Sequence, residues 1–210
     1  MNAVRRLAVA ALACLFGAPA LAETDDEAQV IKPFVWVFGG GYAGPAYYAS
    51  TTDDTHQVGL SGDFFSRATA GIGFWEADAE TAILPGWGKS TSGLDDAITL
   101  GAWFRLESAL PATGETMGRS FGGSLCFVEN NEDKRLVATM IDIGIRQSME
   151  GLGTVRQGSD GENLQQFSFG FSEQINLFEE HYIGPAGRVH WGTDDLPFEI
   201  AVGLEIGTAL

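Results

Sequence analysis

Ser120 stands in Gly118-Arg119-Ser120-Phe121-Gly122, a G-x-S-x-G match. In a hydrolase that pattern sets the serine on a sharp strand-to-helix turn, where a histidine can take its proton. The residues after Ser120 alternate as a strand does, so the local sequence lacks the elbow. With 28 Gly in 210 residues, such a match also arises easily by chance. The three histidines are His56, His181 and His190, and no spacing pairs one of them with Ser120. A lipid hydrolase built on Ser and His from neighbouring strands remains an alternative, but no catalytic residue is assigned.

Metal chemistry has equally little to work with. Carboxylate pairs recur at Asp53-Asp54, Asp95-Asp96, Glu179-Glu180 and Asp194-Asp195. Hard cations take oxygen ligands, yet none of these pairs has calcium-loop spacing, and all four read as solvated turns. There is no Cys/His zinc spacing, phosphate-cradling loop or haem-attachment motif. No metal or cofactor is expected. Cys126 has no His/Asn context of a catalytic thiol and reads as a small buried wall residue.

A third set of polar residues is better placed. Arg105, Asp142, Arg146, Arg188, Glu199 and Glu205 carry both signs and sit among small residues on one face of their segments, and His190 shares its face with Arg188. Charges gathered inside a narrow wall must pair, because an unpaired buried charge is costly. These seven residues are the candidate lumen charge network.

The segments that carry them have a period of two. Phe198, Ile200, Val202, Leu204, Ile206, Thr208 and Leu210 share one face against Glu199, Ala201, Gly203, Glu205, Gly207 and Ala209. Phe167, Phe169, Phe171, Ile175 and Leu177 oppose Gln166, Ser168, Gly170, Ser172, Gln174 and Asn176. Similar alternation marks Ile98–Leu106, Phe121–Phe127, Val137–Ile145, Ala70–Phe74 and Val58–Phe64. A step of 180° per residue means half-buried β-strands, and no stretch has a helical period. The spacing predicts an all-β chain of eight to ten strands. Turns fall at 51–55, 130–134, 148–163 and 193–197. Phe34–Phe38 reads as the first strand, followed by a flexible GGGYAGP, and residues 39–50 and 79–85 resist assignment.

Before the strands, Arg5-Arg6, an apolar run from Leu7 to Gly17 and Ala20-Leu21-Ala22 form the three parts of a secretory signal peptide. Cleavage after Ala22 is expected. The rivals are a twin-arginine signal and lipidation at Cys14 in Ala11-Leu12-Ala13-Cys14. Loss of residues 1–22 leaves 188 residues with a single cysteine, so no internal disulfide. The formal charge moves from −16 to −18 as Arg5 and Arg6 depart. That balance excludes nucleic-acid binding through phosphate contacts. With hydrophobic residues at 45%, a disordered acidic tail is excluded too.

Alternation alone does not say which way the apolar faces look. The opposite faces hold Gly, Ala, Ser and Gln rather than Lys and Glu, and the chain has only Lys32, Lys89 and Lys134. Small residues suit the crowded interior of a closed sheet. Trp36, Trp191 and Phe198 stand near run ends, as aromatic girdles do, and Glu173 is the one charge on an apolar face.

On these residues the chain resembles the small outer-membrane β-barrel proteins of Gram-negative bacteria, over residues ~30 to 210. The resemblance is one of architecture, with no family motif. Its final strand is similar to the C-terminal assembly signal of that class, but ends in Leu210 where Phe is usual and has Thr208 where an aromatic is common. The resemblance implies a closed, antiparallel, up-and-down transmembrane β-barrel over residues 23–210. It further implies an outer-membrane location, with lipid, lipopolysaccharide and the barrel assembly machinery as partners. The expected role is structural, adhesive or a narrow solute passage. The alternative from another class is a soluble periplasmic lipocalin-like barrel with an apolar ligand inside.

Overall fold

Alternating apolar and small residues become strands because side chains on a pleated backbone leave on opposite faces. A computed structural model describes residues 29–50, 54–76, 93–110, 116–130, 136–150, 154–158, 160–178, 181–192 and 196–209. The expected signal peptide with Cys14, residues 79–85, Lys89, Lys134, Asp53, Glu179-Glu180 and Asp194-Asp195 lie outside the described residues. Nine strands follow in order: β1 (Gln29–Ala49), β2 (His56–Glu76), β3 (Leu94–Leu110), β4 (Thr116–Asn130), β5 (Leu136–Glu150), β6 (Thr154–Val155), β7 (Gln165–Phe178), β8 (His181–Gly192) and β9 (Phe198–Ala209). They form one antiparallel sheet, with no helix among the described residues.

Hydrogen bonding in that sheet runs round as a ring. Each long strand pairs with its neighbours along the chain, β6 is a two-residue addition to β5, and β9 returns to pair with β1. Following partners from Trp36 leads to Thr69, Gly101, Ser124, Asp142, Gly170, Arg188 and Ala201. Ala201 pairs with Ala46, so one circuit leaves β1 at position 36 and regains it at 46, ten residues on. A stagger of this kind is what tilted strands need in order to meet again.

Several details differ from the sequence reading. The segment GGGYAGP is part of β1, which runs unbroken through residues 39–49. A Cβ on Gly40 or Gly44 would strike the Gly207 or Gly203 backbone of β9, so these glycines permit close strand approach. The β1–β9 ladder does skip Gly44 and Pro45, and proline has no N–H to give it. Asp95-Asp96 lies at the start of β3 rather than in a turn, and Ser148 within β5. His181 opens β8 and is exposed. Phe74 is buried, unlike the exposed residues of its apolar face, and a bulge opposite Phe74/Trp75, where β3 carries the extra residue Asp95, brings Leu94 into the buried cluster with Trp75.

The faces divide sharply. Outward lie Phe64, Leu100, Ile143, Phe167 and Val202, each more than half exposed, with Leu204 and Ile206. Inward at one end lies an apolar plug of Phe34, Trp36, Phe38, Phe65, Trp75, Leu94, Met140 and Tyr182. Trp36 is therefore not a girdle residue. It is 3% exposed, edge-on to Phe34, Phe38 and Tyr182, because its parity on β1 points it into the ring. Trp191 stays outside and Phe198 is half-buried.

Candidate functional site

Beyond the apolar plug the same inward face turns polar. Alternation sends Asp63 and Arg67 in from β2, Arg105 and Glu107 from β3, Asp142 and Arg146 from β5, Arg188 and His190 from β8, and Glu199 and Glu205 from β9. All ten are buried. Four arginines thus meet five carboxylates and one histidine in a space walled by backbone.

They fall into two groups. In the first, Asp142 accepts from Arg67 at 2.5 Å and from Arg105. Arg188 pairs with Asp63 and, at 3.0 Å, with Glu205, which also takes a bond from the Gln174 amide and lies 3.6 Å from Arg67. Three arginines face three carboxylates, so this group is neutral by count. Ring faces complete the arginine surroundings. Arg105 lies 4.4 Å from the centre of Trp103 and Arg188 3.9 Å from that of Tyr42, distances at which a desolvated cation gains from the ring quadrupole.

The second group sits nearer the end of the ring where the β1–β2, β3–β4, β5–β7 and β8–β9 connections lie. Arg146 pairs with Glu107 at 2.6 Å and lies 3.4 Å from Glu199, while His190 Nε2 is 3.7 Å from Glu107. Ser120 donates to Glu107. Arg146 also donates to Gln166 at 2.8 Å, and the Gln166 amide donates to the Pro197 carbonyl at 2.7 Å. Through that bond the network reaches the β8–β9 connection.

All seven residues singled out in the sequence are here, each buried and each with a charged neighbour. Asp63, Arg67 and Glu107 were missed, although parity reveals them: Asp63 flanks Phe64 on the opposite face, and Glu107 shares its face with Arg105. Ser120 is fully buried, with a carboxylate standing between it and His190. A nucleophile needs the histidine in that middle position. Cys126 is buried in the apolar plug. No group of three or more His, Cys, Asp or Glu suited to a metal occurs among the described residues. What the arrangement does chemically is hold strands together: Arg67, Arg146 and Arg188 each tie side chains from at least two other strands, and Arg105 joins β3 to β5 through Asp142.

No family model, no curated protein and no solved structure matches the chain.

Proposed function

We propose that this chain is an integral outer-membrane β-barrel of a Gram-negative bacterium, closed by its eight long strands and filled by its own side chains. Its role is that of a membrane-anchored wall, structural or adhesive, which displays its loops to the outside rather than opening a channel. Lipid and lipopolysaccharide surround it, and the barrel assembly machinery inserts it.

One observation carries this reading: apart from the aromatic plug at one end, the interior holds paired charges while large apolar side chains from strand after strand face outward. Val58 is 72% exposed, Phe64 77% and Leu100 68%, whereas Arg105 is 1% and Glu205 0%. Exposed apolar area that extends over several strands is far larger than the patches soluble monomers tolerate. Lipid removes that area from water, and a ring of paired strands leaves no bare edge in the hydrocarbon. A lipocalin-like barrel would need the reverse, with an apolar interior and a charged surface. The buried polar network and the apolar plug both lie on the inward face, where a solute would have to pass.

Cell fractionation and gel mobility test the proposal. The protein is expected with the outer membrane, and its folded form should migrate differently from the boiled one. In planar bilayers it should give no steady conductance. Release by osmotic shock would overturn the membrane reading, and regular ion-conducting steps would overturn the filled interior.

A further inference from the structure

Outside the ring, between β5 and β7, the chain makes a small hairpin. β6 pairs with the end of β5, Gln157 bridges Asn163, and the tip turns through Gly158 and Gly161. Gly161 has a φ of 82°, which a side-chain-bearing residue rarely adopts, and Asp160 accepts the Glu162 N–H. The tip is thus held by its own bonds. Between it and the outer wall lies a cleft of about 850 Å³, within the range of small-ligand sites.

Its lining is of two kinds. The wall contributes Phe167 from β7 and Trp191 from β8, register partners whose rings stack on one another 5.8 Å apart at 28° and stand out from the sheet as one aromatic pair. Gln165, next to Phe167 on the same face of β7, and the hairpin's Gln157, Glu162 and Asn163 line the rest, with three amides and one carboxylate among them. No Lys or Arg lines the cleft among the described residues. An anionic group would meet Glu162 with no cation to hold it. A purely apolar occupant would strip water from the amides without replacing their hydrogen bonds, at a cost for each. A sugar ring satisfies both kinds, because its C–H face packs against aromatic rings while its hydroxyls give and take hydrogen bonds with amides and a carboxylate.

We propose that this cleft binds a neutral saccharide, packed by its C–H face against the Phe167–Trp191 pair and hydrogen-bonded by Gln157, Asn163, Gln165 and Glu162. The sugar arrives either free or as the head of a glycolipid. The site does not depend on membrane insertion, since hairpin and wall form it whatever surrounds the ring.

The test uses the full chain, folded in a detergent without sugar, with folding scored by gel mobility in every sample. Maltose, chitobiose, dodecyl maltoside and dodecylphosphocholine are titrated while intrinsic tryptophan emission is followed. Saturable binding of the free disaccharides supports the proposal with a free source. Binding of dodecyl maltoside alone supports it with a lipid-borne one. In either case Trp191→Ala and Asn163→Ala should each weaken binding at least tenfold, and Leu100→Ala, on the outer wall away from the cleft, should not. Equal binding of dodecylphosphocholine, binding undiminished in Trp191→Ala, or no saturable binding of any sugar would overturn it. A membrane-fractionation failure would leave these results standing, so the two proposals fail separately.

Discussion

Asp142 is the residue whose loss should cost the ring most. It accepts from two arginines of two different strands, Arg67 at 2.5 Å and Arg105, and all three side chains are almost fully buried. Truncation in Asp142→Ala leaves a surplus buried positive charge, with only the 3.6 Å approach to Glu205 left for Arg67. Removing one partner of a buried ion pair costs about 3–5 kcal/mol. At roughly 2 kcal/mol per M of urea, the unfolding midpoint should fall by about 2 M. The measurement is urea unfolding in micelles, followed by tryptophan emission and by gel mobility. A compensated variant checks the cause. Asp142→Leu with Arg105→Met removes one charge of each sign and leaves Arg67 and Arg188 facing Asp63 and Glu205. It should regain at least half the loss. If Asp142→Ala costs less than ~1 kcal/mol, or if adding Arg105→Met deepens the loss by its full separate amount, the network does not act by charge pairing.

Other outcomes follow from the two faces. Leu100→Arg should cost about 2–4 kcal/mol in phospholipid vesicles, as a cation facing mid-bilayer does, and an unchanged stability there would deny that β3 faces lipid. Trp36→Ala should lose about 3–5 kcal/mol through the cavity opened in the aromatic plug, whereas a girdle tryptophan would lose much less; the same unfolding assay decides. Ser120→Ala should lose roughly 1.5–3 kcal/mol, the value of a hydrogen bond to a charged group. It should leave the acyl chains of lipid A as they are in cells with the unaltered protein, and a difference between the two by mass spectrometry would make Ser120 a nucleophile.

Much of this was legible in the sequence for a simple reason. A two-residue period assigns every side chain to a face once the strand is recognised, so the inward position of Arg105, Asp142, Arg146, Arg188, His190, Glu199 and Glu205 is readable from the sequence. Asp63, Arg67 and Glu107 obey the same rule and needed only its full use. What period cannot supply is register and depth. Nothing local marks Trp36 as inward, because an apolar residue between two apolar residues has no parity to read. The glycines of β1 read as a flexible stretch because their use lies in the β9 backbone opposite, more than 150 residues away. The hairpin after β5 was equally hidden. Its polar stretch reads as a loop, and the cleft comes from the wall behind it.

The pairing of β9 with β1 has a consequence for how the molecule is made. Phe38 and Ala209 are ladder partners, so the last seam joins opposite ends of the described chain. Such distant contacts give high contact order, and the entropy of bringing the ends together is lost before the seam contributes anything. Until β9 exists, β1 and β8 each present a free edge that any other strand can occupy, including one from a second copy. Assembly is then close to all-or-none: a nascent sheet short of one strand is a template for aggregation. Such a chain needs escort while it is being made, and dropping β9 should yield insoluble protein rather than a smaller ring.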